Sequence, residues 1–119
     1  MTGLFDLTGR VAVVIGAAAG GLGERAAMAL ATQGATVAVA DLHSQADKVA
    51  ETASRSGATA STHAVDVTSE DSVRALADSV MARHGRVDVV VNAAGVMLRR
   101  EVEQTSLEEF ERVMRVNVS

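Results

Sequence analysis

Apolar and polar positions fall in alternating blocks along the chain. Val11–Ile15 is an uninterrupted apolar, β-branched run, the pattern of a strand covered on both faces of a parallel sheet. An alanine-rich helix is predicted over Gly21–Gln33, with Gly34 where a left-handed residue closes a helix. A second apolar run, Ala35–Ala40, ends in Asp41. Ser44 with Asp47 three residues on predicts an N-cap, a helix to Ser56 and a stop at Gly57. Ala58–Val65 reads as a weaker strand ending in Asp66. Thr68 or Ser69 then caps a helix with Val73, Leu76, Ala77 and Val80 on one face, stopped by Gly85. The fourth strand, Val87–Val91, runs into Asn92-Ala-Ala-Gly95. Ser106-Leu-Glu-Glu109 matches a capping box for a last helix holding Phe110, Val113 and Met114 at helical spacing.

Strand and helix alternate throughout, so right-handed crossovers predict an α/β fold, a doubly wound, Rossmann-like parallel sheet with helices on both faces. Four strands are visible, fewer than a complete sheet of this kind, and with no proline and no linker residues 1–119 read as one domain. Composition narrows the partners. A net charge of −4 with 11 scattered basic residues argues against nucleic acid, which is held by clustered Lys and Arg. The absence of cysteine excludes disulfides and thiolate metal sites. No apolar run approaches membrane-spanning length, and Met1–Arg10 lacks the features of a signal peptide, so a cytoplasmic protein with no membrane partner is expected. His43, His63 and His84 fall on different elements, which speaks for surface or edge positions rather than a metal site.

The candidate chemistry lies between the first strand and the first helix. A buried strand that feeds Gly16-Ala-Ala-Ala-Gly-Gly-Leu-Gly23 into a helix N-terminus gathers backbone N–H groups at the positive end of a helix dipole, a pocket for phosphate. The plainer alternative is that these glycines only allow the helix to pack closely. Asp41 favours the nucleotide reading: it ends the second strand 18 residues after Gly23, near the roughly 20-residue offset at which an acidic side chain meets the adenosine ribose. Its carboxylate would accept from both ribose hydroxyls and repel a 2′-phosphate, and no Arg or Lys stands in the turn or just after Asp41 to offset that repulsion. NAD is therefore the expected cofactor; the alternative for Asp41 is a loop residue that starts a turn. A receiver domain with Asp66 as phosphoacceptor would need acidic residues after the first strand, where this chain has glycine and alanine.

Taken together, Gly16–Gly23, Asp66-Val-Thr68, Asn92-Ala-Ala-Gly95 and Val116-Asn117-Val118, in that order, resemble the short-chain dehydrogenases/reductases, as does the opening Leu7-Thr-Gly-Arg-Val-Ala-Val-Val14. The resemblance covers nearly the whole chain. It implies that the turn, with Gly16, Gly20, Gly21, Leu22 and Gly23, holds the pyrophosphate and that Asp41 selects NAD. It places Asp66 and Val67 against the adenine, and Asn92, Ala93, Ala94 and Gly95 along the cofactor. Asn117 matches the family's catalytic asparagine, which bends the last helix and holds water in a proton relay. Without the resemblance, Asp66 reads as a turn residue and Asn117 as an end residue.

Two departures stand out. The family turn, T-G-x-x-x-G-x-G, has its outer glycines six apart, whereas Gly16 and Gly23 are seven apart and Ile15 replaces the threonine, so Gly20 or Gly21 must be absorbed in a reshaped loop. The family's catalytic serine and Y-x-x-x-K pair lie beyond the asparagine, and these 119 residues contain no tyrosine. The expectation is the cofactor-binding part of an NAD-dependent oxidoreductase that moves a hydride between NAD(H) and a small-molecule carbonyl or secondary alcohol, a homo-oligomer when intact and inactive as this chain alone. The alternatives are a non-catalytic dinucleotide-binding module or an inactive truncated gene product. The related strand order, 3-2-1-4-5, leaves the outer edge of the fourth strand unpaired, which predicts self-association.

Overall fold

The computed structural model describes residues 6–18 and 20–93, and the backbone of 98–101. β1 (Val11–Ile15) is buried along its whole length. It lies between β2 (Thr36–Asp41) and β4 (Val89–Asn92), parallel to both, with Val13 opposite Ala38 on one side and Val90 on the other. β3 (Ser61–Ala64) extends the sheet beyond β2, giving the order β3-β2-β1-β4 in four parallel strands. Helices α1 (Leu22–Thr32), α2 (Ala46–Arg55) and α3 (Glu70–His84) are the crossovers.

Alternation along the strands sends side chains to two cores. Val11, Val13 and Ile15 pack with Ala38, Val90 and the α3 stripe Val73, Leu76, Ala77 and Val80. Ala12 and Val14 pack on the other face with Val37, Val39 and residues of α1 and α2, including Ala27, Leu30, Val49 and Ala53. Each fully buried Val or Leu contributes about 1.5–3 kcal/mol of transfer free energy, and the continuous apolar runs are what a sheet covered twice requires.

The helix ends follow the predicted signals, including the stop of α2 at Ser56 and Gly57, except at the start of α2. α1 closes in a Schellman arrangement, Gly34 N–H donating to Ala31 O (2.9 Å) and Ala35 N–H to Leu30 O (3.1 Å), with Gly34 at φ +99. α3 is capped by Ser69, whose Oγ accepts from Ser72 N–H at 3.2 Å, and ends at Gly85 in the left-handed region. The Ser44 cap is a correction. Ser44 sits in a 3-10 turn, His43–Gln45, closed by Gln45 N–H to Leu42 O at 2.8 Å, and α2 begins after it with no side-chain cap. The third strand is also shorter than Ala58–Val65, because Ala60 N–H turns back to Gly57 O at 3.2 Å.

A further correction concerns the sheet edge. β5 (Leu98–Glu101) pairs antiparallel with β4, Asn92 opposite Leu98 and Val89 opposite Glu101, so the outer edge of β4 is not bare. The premise for self-association through that edge is absent. Ser106-Leu-Glu-Glu109 and the helix expected after it lie outside the described residues. At the N-terminal ends of the strands Asp88, 2% exposed, joins β4 to β1: it accepts Val11 N–H at 2.8 Å and the Arg86 Nε and Nη2 at 2.8 and 2.7 Å. Burial pushes its carboxyl up, but the Arg86 and Val11 hydrogen bonds outweigh that and hold it below the usual carboxylate value. No helix among the described residues is long and apolar enough to cross a membrane.

Candidate nucleotide-binding site

The C-terminal ends of β1, β2 and β4 and the residues after β3 open onto one cleft of about 400 Å³, lined by Ile15, Gly16, Asp41, Leu42, Val65, Asp66, Val67, Thr68 and Ala93. That is where open α/β sheets bind ligands, because crossovers to opposite faces leave a crevice beyond the strand ends. Gly16 leaves β1 at φ +81 and Gly20 has φ +93, both in the region that favours glycine. Gly20 has open space around it. Gly23 has none: a Cβ there would collide with Gly16 O and lie 2.9 Å from Ala17 Cα, so α1 starts against the strand end.

Several N–H groups of the turn are already used. Gly16 and Ala17 donate to Ala40 O at 2.9 and 3.1 Å, Ala18 donates to Asp41 Oδ2 at 3.1 Å, and Gly20 donates to Glu24 Oε1 at 3.3 Å. No side chain caps α1 at Gly21, so the first-turn N–H groups, which have no intrahelical acceptor, are those an anion would meet. The cradle therefore fits a phosphate at residues 21–24, with the preceding turn serving as its frame. The Gly20 N–H, and after it Arg55, hold the Glu24 carboxyl below its usual value.

Asp41 ends β2 at the mouth of the turn. Its Oδ1 accepts Leu42 N–H at 2.7 Å and its Oδ2 accepts Ala18 N–H, so the carboxylate is fixed in the cleft with lone pairs left for a further donor. Asp66 takes part in a turn, as its plainer reading held, and also walls the cleft. Its Oδ1 accepts from Thr68 Oγ1 at 2.6 Å and Thr68 N–H at 3.0 Å, which lowers its pKa. Val67 lies beside it. Ala93 lines the cleft, its N–H on Ile15 O at 2.8 Å, and Asn92 is buried at the end of β4. Leu22, 51% exposed, stands at the start of α1. Ala94, Gly95 and Asn117 lie outside the described residues.

Two groupings escape sequence reasoning. Thr52 of α2 is fully buried and donates to Ala17 O at 2.6 Å, behind the turn. At the other end of the sheet, Ser61 Oγ lies 2.8 Å from His63 Nε2 and 2.7 Å from His84 Nε2, while His63 Nδ1 meets Ser79 Oγ at 3.0 Å. The two histidines meet because α3 runs back along β3. Among the described residues no group of three or more His, Cys, Asp or Glu could hold a metal ion.

The family model of the short-chain dehydrogenases matches residues 10–119. The chain belongs to that family. It is 39% identical to a D-threitol dehydrogenase of Mycolicibacterium smegmatis across 97% of its own length and 44% of that protein. A crystal structure of a short-chain type dehydrogenase/reductase from Mycobacterium marinum is similar, with a TM-score of 0.71 and 36% identity over 97% of this chain and 47% of that one. A metagenomic short-chain oxidoreductase solved in complex with NADP gives a TM-score of 0.67 and 38% identity over 76% of this chain and 41% of that one. The chain thus spans less than half the length of these short-chain dehydrogenase relatives. The family binds nicotinamide dinucleotides, which agrees with a glycine-framed helix start opening on the cleft.

Proposed function

We propose that this chain is the dinucleotide-binding portion, residues 1–119, of an NAD-dependent short-chain oxidoreductase acting on a carbonyl or secondary alcohol in the cytoplasm. The observation that carries the cofactor choice is Asp41, fixed by Ala18 N–H at the cleft that Gly16 opens. Among the described residues lining that cleft there are two carboxylates, Asp41 and Asp66, and no Arg or Lys. A ribose diol offers donors to Asp41, whereas a 2′-phosphate would meet uncompensated negative charge. The metagenomic relative is solved in complex with NADP, so family membership by itself does not select NAD and the choice rests on the residues around the ribose.

The bound dinucleotide supplies or accepts the hydride. In this reading the α1 N-terminus binds the pyrophosphate, Asp41 orients the ribose, Asp66 and Val67 flank the adenine, and the segment from Asn92 to Gly95 runs along the cofactor. Asn117 is assigned the proton-relay role that the family resemblance gives it. The test is a pair of titrations of NADH and NADPH at fixed salt. NADH is expected to bind tighter by about 1–3 kcal/mol; equal or tighter NADPH binding overturns the NAD assignment.

A further inference from the structure

We propose that α2 clamps the phosphate turn, with Thr52 and Arg55 as positioning residues for dinucleotide binding. This rests on the dinucleotide reading of the cleft. The turn carries one residue more between its outer glycines than the family pattern, and each extra residue adds backbone freedom that must be frozen before the α1 N-terminus presents its N–H groups. The chain holds this segment from outside. Thr52 Oγ1 donates to Ala17 O at 2.6 Å near the start of the turn. Further along it, Gly20 N–H rests on Glu24 Oε1, and Glu24 Oε2 accepts from Arg55 Nη1 at 2.6 Å.

Thr52 and Arg55 stand three residues apart on one face of α2, so a single helix reaches both places in the turn. A helical threonine can return its hydroxyl to its own helix; Thr52, fully buried, donates to the turn instead, and without Ala17 O its hydroxyl would be a buried donor with no acceptor on the turn. Arg55 acts through Glu24. That carboxylate sits in the first turn of α1, where an incoming pyrophosphate would be repelled, and the guanidinium offsets its charge while keeping it on Gly20 N–H. Arg55 is steadied in turn by Glu51, at 2.8 Å.

The test titrates NADH by its fluorescence into the 119-residue chain and its variants at low and high salt, with thermal unfolding of each. Thr52→Val, which keeps the shape and removes the donor, is expected to weaken binding about three- to tenfold, and Thr52→Ser to restore it to within about twofold. Arg55→Ala is expected to weaken binding about three- to tenfold at low salt and less at high salt, because exposed charge effects are screened. If the unchanged chain binds NADH and both folded variants bind it within about twofold of that value, the clamp is wrong and the dinucleotide reading stands. If the unchanged chain binds no NADH, that reading fails and the clamp with it. Should Thr52→Val fail to fold, Arg55→Ala, at a half-exposed side chain, decides alone.

Discussion

Gly23 shows how one missing side chain shapes the site. Its Cα faces Gly16 and Ala17 so closely that a methyl group must displace backbone on one side. Gly23→Ala is expected to destabilise the fold by about 1–3 kcal/mol, the usual range for overpacking, and to weaken NADH binding beyond that of a surface control by moving the start of α1. Urea unfolding and NADH titration of the same variant measure both effects; unchanged binding would mean that the helix start does not hold the phosphates. Asp41 separates charge from position. Asp41→Asn keeps a side-chain acceptor for Ala18 N–H but drops the charge, so the preference for NADH over NADPH should shrink with little change in unfolding temperature, whereas Asp41→Ala should lose both. A preference intact in Asp41→Asn would assign it to some other group. The glycine turn and Asp41 are legible in the sequence because their spacing is local. Thr52 and Arg55 are not, since nothing in Thr-Ala-Ser-Arg announces that α2 will cross behind the turn.

Elements were most legible where chemistry and periodicity agreed. The valine run of β1, the Gly34 stop of α1, and the Ser69 cap and Gly85 stop of α3 stand where the pattern places them. Ser44 failed as a cap because Leu42–Gln45 closes a tighter turn first, and Leu98–Glu101 gave no strand signal because Leu-Arg-Arg-Glu lacks apolar alternation; its pairing comes from the open edge of β4. The joint between β3 and α3 was equally hidden, and it makes a pH prediction. Ser61 Oγ has one proton for two imidazoles, so it donates to one Nε2 and accepts from the other, an arrangement that suits two neutral rings. Burial first, then His84 and Arg83, lower the His63 pKa; burial and Arg83 lower that of His84. Both folded values lie below the ordinary 6.5, so the unfolded chain binds protons more readily. Stability from this joint is full above pH 6.5 and declines as pH falls from there through the lowered values. Unfolding temperatures between pH 7.5 and 5 (about two and a half units spanning the ordinary histidine value) should drop with acid. The slope should be shallower in His63→Gln; an identical slope in that variant would remove His63 from the effect.

At the scale of the whole molecule the sheet divides the labour between its ends. Gly16, Asp41, Asp66 and Ala93 gather at the C-terminal ends of the strands, and the Asp88 and Ser61 networks tie the opposite end. This polarity bears on catalysis. Hydride transfer to a carbonyl leaves an oxygen that needs a proton donor, and a positioned general acid contributes about 10²- to 10⁴-fold in rate. The family resemblance assigns that donor to a tyrosine, and these 119 residues contain none. His63 and His84 are engaged with Ser61 on the β3–α3 joint, and the amide of Asn117 has no titratable proton to give. His43 lies in the 3-10 turn just after Asp41, the residue proposed to hold the ribose. The 119-residue chain is therefore expected to bind NADH and yet turn over no ketone or alcohol. Purified chain would be followed by NADH absorbance across a panel of both substrate classes, with binding confirmed by fluorescence in the same preparation. Reproducible turnover that Gly23→Trp abolishes would show that an acid outside these candidates completes the reaction, and would overturn the assignment of this chain as a binding portion alone.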